Sequence, residues 1–145
     1  MKPFVKQLSH VGVSTSDIER SLKWYTEILG LDEAFRLHSP DGELRIIYLQ
    51  LSPTTFVELF VGGPRQQKPP NVHFAIEVTD IETAVADLLP RLPPESIRKR
   101  EITTGRDGSK IFNFFDPDGN RIEYMQFLPE SQQYQAMRRA GVLGL

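Results

Sequence analysis

Two histidines and two glutamates stand at matched places in this chain. The stretch "LSHVGVSTSDIERSLKWY" sets His10 seven residues before an Asp-Ile-Glu triplet, and "NVHFAIEVTDIETAVADL" sets His73 seven residues before the same triplet. A shift of 63 (73 − 10) therefore pairs His10 with His73 and Asp17, Ile18, Glu19 with Asp80, Ile81, Glu82. A shift of 65 (123 − 58) pairs "FVELF" with "RIEYM" and so Glu58 with Glu123. The repeat thus supplies one imidazole and one carboxylate per copy. His10, Glu58, His73 and Glu123 together make a borderline-hard nitrogen and oxygen donor set, suited to one divalent ion: Ni²⁺, Zn²⁺, Co²⁺, Mn²⁺ or Fe²⁺. With no cysteine in the chain, thiolate zinc sites and thiolate nucleophiles are excluded. Four protein ligands on an octahedral ion leave two positions, which fits a substrate that chelates through adjacent oxygens.

A lone histidine on a strand is more often structural than a ligand. Four residues at repeat-equivalent positions change that weighing, because carboxylates are rarely buried without a partner and a divalent cation satisfies two at once.

Strand alternation must bring the four to one face. In the first copy His10 shares a face with Leu8, Gly12 and Ser14, opposite Val11 and Val13; in the second, His73 goes with Ala75 and Glu77, opposite Phe74, Ile76 and Val78. Glu58 opposes Val57 and Leu59, and Glu123 opposes Ile122 and Tyr124. The oily face is the one a helix covers. The small neighbours Gly12 and Ala75 leave space above the other.

The elements follow from periodicity. Strands are predicted at 8–14 and 72–78, each running into a helix capped by Asp17 or Asp80. Ile18, Leu22, Tyr25, Ile28 and Leu29 lie at helical spacing before Gly30; Ile81, Ala84, Val85, Leu88 and Leu89 do so before Pro90. The segments "LRIIYLQL", "TTFVELF", "SKIFNFF" and "NRIEYMQF" read as strands, and "DPDGN" reads as a turn. Each copy is β-α followed by two or three strands, an α+β pattern. The expected division is a first module over 1–62, a linker over 63–70, a second module over 71–128 and a helical tail over 129–145, helical from about 130 to 140.

The 145 residues carry a formal charge of −2, so the basic excess of a nucleic-acid binder is missing. The basic run "RKR" at 98–100 reads as a solvated loop or strand edge. No apolar run is long enough to span a bilayer and no signal-peptide core opens the chain. The expected setting is the cytoplasm, without membrane or nucleic-acid partners.

The paired "HVGV…DIERSLKWYTEILGL" and "HFAIEVTDIETAVADL", with "VELF" and "DPDGNRIEY", resemble the vicinal oxygen chelate superfamily, which includes glyoxalase I, extradiol dioxygenases, methylmalonyl-CoA epimerase and the fosfomycin and bleomycin resistance proteins. The similarity covers about residues 7–128. It implies two repeated βαβββ modules whose mixed sheets form a cup around a metal, the glyoxalase-like fold. The His-Glu-His-Glu set is that of glyoxalase I (lactoylglutathione lyase), which implies a lyase or isomerase moving a proton between adjacent carbons, with Glu123 as base and Glu58 second. A dioxygenase needs three open metal positions and this set leaves two. The alternatives are an epimerase acting on a CoA ester, an Fe²⁺ extradiol dioxygenase, and a non-catalytic drug-binding resistance protein. Ser14 stands where bacterial glyoxalase I enzymes carry an arginine that holds glutathione, and "TTGRDGSK" departs from their pattern.

Substrate contacts are expected from Tyr48, Phe56, Asn113, Arg121 and Met125, and the resemblance adds Arg36. His38 reads as an exposed loop residue, Trp24 as packing, and Glu77 as either solvated or supporting the site. A homodimer binding a small-molecule substrate is expected, formed through sheet edges and the apolar tail.

Overall fold

The computed structural model describes residues 6–62 and 72–141. The linker expected over 63–70 lies outside the described residues. The chain divides into two compact units, the first holding the described residues up to 62 together with Asp116–Asp118, the second holding the rest.

In the first unit β1 (His10–Thr15) leads into α1 (Ile18–Lys23), followed by β2 (Asp32–His38), β3 (Leu44–Ser52) and β4 (Thr55–Val61). The sheet order is β1-β4-β3-β2, with β1 parallel to β4 and the other neighbours antiparallel. The second unit repeats this with β5 (His73–Glu77), α2 (Ile81–Leu88), β6 (Thr103–Thr104), β7 (Lys110–Phe115) and β8 (Arg121–Gln126), in the order β5-β8-β7-β6. Again the first strand runs parallel to the last. The protein is α+β, built from two repeated βαβββ modules. A third helix, α3 (Gln132–Arg139), closes the described chain.

The repeated Asp-Ile-Glu triplet has a local cause. Asp17 and Asp80 are N-caps, accepting from the backbone N–H of Arg20 at 3.1 Å and of Thr83 at 2.8 Å, each satisfying one donor that the first helical turn leaves open. The isoleucine then begins the buried stripe, with Ile81 fully buried. In the first unit the helix widens after Lys23 so that the Leu29 N–H reaches the Trp24 carbonyl, five residues back, at 3.2 Å. Gly30, at φ 79°, ends it, in the left-handed conformation glycine adopts without a side-chain clash.

Period-two alternation decides which sheet face each side chain takes. Ile47, Leu49, Val57 and Leu59 are buried in the first unit, as are Phe112, Phe114 and Ile122 in the second. Each such aliphatic side chain contributes about 1.5–3 kcal/mol relative to exposure. A register slip of one residue would turn Glu58 or Glu123 into that core, so burial fixes the pairing.

The turn at Asp116–Asp118 is more than a connection. Both aspartates are buried. Tyr25 Oη donates to Asp116 Oδ2 at 2.9 Å; Asp118 accepts from Thr15 Oγ1 at 3.0 Å, from the Ser16 N–H at 3.0 Å and from Ser16 Oγ at 2.6 Å. Burial and the neighbouring Asp116 raise the Tyr25 phenol well above its ordinary value. Burial acts to raise Asp118 too, but the hydrogen bonds from Ser16 and Thr15 and the charge of Arg20 win, and its carboxyl lies below the usual range.

Candidate functional site

The first His–Glu pair is set by the parallel ladder of β1 and β4, where His10 lies opposite Phe56 and Gly12 opposite Glu58. His10 Nε2 is 3.4 Å from Glu58 Oε2, and the carboxylate side chain is only 8% exposed. Ser9 Oγ lies 3.1 Å from His10 Nδ1. In the tautomer that donates Nδ1–H to Ser9, an Nε2 lone pair faces a carboxylate. Two acceptors at that distance need a proton or a cation between them. Gly12 makes room: a Cβ there would come 2.9 Å from the Phe60 ring and 3.7 Å from Glu58 Oε2. Tyr48, opposite Glu58 on β3, has its phenol raised by hydrogen bonding to Glu58, with burial adding.

The second pair repeats this register, with His73 opposite Arg121 and Ala75 opposite Glu123. His73 and Glu123 line a cavity of about 600 Å³ with Asn113, Arg121, Met125 and, from α3, Gln133. Arg121 Nη2 is 2.7 Å from His73 Nδ1. Arg121 Nε and Asn113 Oδ1 are buried without a hydrogen-bond partner.

The same shift of 65 that pairs the glutamates makes Phe56 the mate of Arg121, Tyr48 of Asn113 and Phe60 of Met125. Of the expected substrate contacts, Tyr48 and Phe56 therefore lie on the Glu58 face, while Asn113, Arg121 and Met125 lie on the Glu123 face. The two faces differ in chemistry. The first is aromatic: Phe35 stacks on Tyr48 at 4.3 Å, and Tyr48 meets Phe56 at 6.1 Å and His10 at 6.3 Å. The second is polar and cationic.

Arg36 is placed apart from these residues. It pairs in register with the buried Ile47, on the opposite face from Tyr48, and its Nε holds Glu33 at 2.5 Å. A register irregularity between Glu33 and Phe35 gives Phe35 the place beside Tyr48. Sequence reasoning passed over Phe35, Phe60 and Gln133. Phe60 was available from alternation, two residues past Glu58; Phe35 was hidden by the irregularity, and Gln133 by the fold of the tail. His38 and Glu77 are exposed at strand ends and Trp24 is buried in the core.

The four expected ligands are thus brought together as two pairs. Among the described residues no three His, Asp or Glu side chains gather into a group that could hold a metal. The donor chemistry within each pair nonetheless fits a divalent cation. Both carboxylates are buried, Glu58 at 6% and Glu123 at 8% exposure, and each shares its face with an imidazole.

A mixed pair of βαβββ sheets, each with an imidazole and a carboxylate on the face away from its apolar core, defines a class, and comparison with known proteins names it. Residues 7–124 match the model of the Glyoxalase/Bleomycin resistance protein/Dioxygenase superfamily, and the chain belongs to that superfamily. It is 30% identical over 127 residues to the "Uncharacterized protein YwbC" of Bacillus subtilis (strain 168), spanning 83% of this chain and 98% of that one. Among solved structures it resembles the glyoxalase family protein from Enterococcus faecalis, with a TM-score of 0.68 and 26% identity over 84% of this chain and 98% of the other. It also shares its fold with TnmS3, an antibiotic binding protein from Streptomyces sp. CB03234, at a TM-score of 0.61 and 23% identity over 86% and 98% of the two chains.

Proposed function

We propose that the protein is a metal-dependent lyase or isomerase of the lactoylglutathione lyase type, moving a proton between adjacent carbons of a small substrate that chelates through vicinal oxygens. The observation that carries this reading is the register identity of the two pairs: Gly12 opposite Glu58 and Ala75 opposite Glu123, each glutamate buried beside a histidine's strand. His10, Glu58, His73 and Glu123 are the residues that would hold a divalent ion. Such an ion supplies Lewis-acid stabilisation of negative charge on two neighbouring substrate oxygens.

The chain's own residues then divide the work. Glu58 lies beside His10 and Tyr48, which suits it to holding position. Glu123 stands over the open cavity and is the better proton carrier: its carboxylate takes a proton from the carbon beside the substrate carbonyl and returns it to the adjacent carbon. Phe35, Tyr48 and Phe56 offer an aromatic wall for an apolar part of the substrate, and Met125 a softer one.

The test is an assay with the hemithioacetal of methylglyoxal and glutathione, with Ni²⁺, Co²⁺ or Zn²⁺ added. Turnover is expected, and Glu123→Gln should lower kcat by at least about a hundredfold. Turnover only with a CoA ester would move the protein to the epimerases. O₂ uptake with a catechol and Fe²⁺, and no turnover otherwise, would move it to the dioxygenases.

The aromatic stack of Phe35 on Tyr48 favours one other reading, a non-catalytic drug-binding protein. Tight ligand binding untouched by a chelator, without turnover, is its signature. In either case we place the working form as a homodimer.

A further inference from the structure

The basic run after α2 does not stand by itself. Arg98 and Lys99 line a cleft of about 240 Å³ in the second unit together with Arg121, the residue that touches His73. Arg121 and Asn113 belong to this cleft and to the Glu123 cavity alike. From these residues we infer that the cleft is a binding subsite for a dianionic oxyanion, of the phosphate monoester kind.

Charge sets the class. Arg98, Lys99 and Arg121 place three positive charges around the cleft and Glu101 one negative, leaving two positive charges to be met. A phosphate monoester, at about −1.5 to −2 near neutral pH, meets them, and a single carboxylate does not. Geometry sets the mode. The Arg98 guanidinium lies over the Phe115 ring, 3.8 Å from its centroid. That stacking fixes the plane and leaves the N–H edges to bind an oxyanion bidentately. On the shared wall, the Arg121 Nε donor is buried and unpartnered. Leaving such a donor unmet costs free energy that an oxyanion acceptor recovers. The Thr103 hydroxyl, also at the cleft, adds a further donor.

That the cleft belongs to the substrate site rests on the functional reading above; the anion binding itself rests on the second unit alone. The experiment is therefore a calorimetric titration of the metal-free, full-length protein with inorganic phosphate, and separately with acetate. Phosphate should bind saturably, acetate at least about tenfold more weakly. Lys99→Gln and Arg98→Gln should each weaken phosphate by about tenfold, while the unfolding midpoint of Lys99→Gln, an exposed position, stays at the wild-type value. Phosphate binding that either variant leaves unchanged, equal binding of acetate, or no saturable binding at all would overturn the inference. Metal loss or a silent hemithioacetal assay would count against the lyase reading without touching these titrations.

Discussion

Arg121 holds Nη2 2.7 Å from Nδ1 of His73. A guanidinium can only donate, so Nδ1 is the acceptor and a neutral ring carries its proton on Nε2. A cation arriving at His73 therefore competes with Arg121, once for the imidazole lone pair and once by charge repulsion. Phe56, the mate of Arg121 in the first unit, imposes neither cost on His10.

Arg121→Gln should accordingly tighten divalent-metal binding, by roughly tenfold, since a unit charge a few ångströms away is worth more than 1 kcal/mol at the effective dielectric of a protein surface. Equilibrium dialysis with Zn²⁺ or Ni²⁺ measures it. Unchanged or weaker affinity would mean that Arg121 does not oppose the metal.

Removing a proposed ligand from either module should have the opposite effect. His10→Ala and Glu123→Gln should each weaken metal binding by at least about tenfold, as loss of a coordinating group does. Metal analysis of the purified variants decides the matter. Full occupancy in both would remove these residues from the ligand set.

Gly12 should not tolerate a β-branched side chain. A Cβ there already lies 2.9 Å from the Phe60 ring and 3.7 Å from Glu58, so Gly12→Val should lower stability by about 1–3 kcal/mol and disturb metal binding along with it. Chemical denaturation and metal titration read the two effects. A variant with wild-type values in both would show that the Phe60 ring yields without cost.

Asp118 gives the fold an acid limit. Its folded-state carboxyl lies below the ordinary value, so the stability it contributes is complete above about pH 4 and is lost as the pH falls through the depressed folded value. Asp118→Asn should cost about 1–3 kcal/mol at pH 7, because the Thr15 and Ser16 donors lose their charged acceptor. The gap to wild type should narrow below pH 4. A gap that stays constant from pH 3 to 7 would contradict the assignment.

A homodimer is expected from the exposed edge strand β2, which carries Phe35 and Leu37 at 46% and 43% exposure, an arrangement that invites pairing. Sedimentation at micromolar concentration should give twice the chain mass. A monomer there would rule the dimer out.

Much of this was legible in the chain itself. The spacing of His10 and His73 from the Asp-Ile-Glu triplets disclosed the repeat, and the caps at Asp17 and Asp80 explain why the triplet recurs. Alternation along "FVELF" and "RIEYM" assigned Glu58 and Glu123 to the face away from the core, because a strand's side chains have a period of two and one face of each sheet must be oily. These are local rules, read within a few residues. What lay beyond them was decided by pairing between distant segments. The register irregularity in β2 set Phe35 rather than Arg36 beside Tyr48. The turn "DPDGN" became a buried acceptor for Thr15, Ser16 and Tyr25, about a hundred residues earlier. Arg98 and Lys99, solvated by the composition of their own run, line one cleft with Arg121. Local spacing determines which face a side chain takes; only the tertiary structure determines what it meets there, because that depends on ladder register, and register is settled by burial summed over the whole sheet.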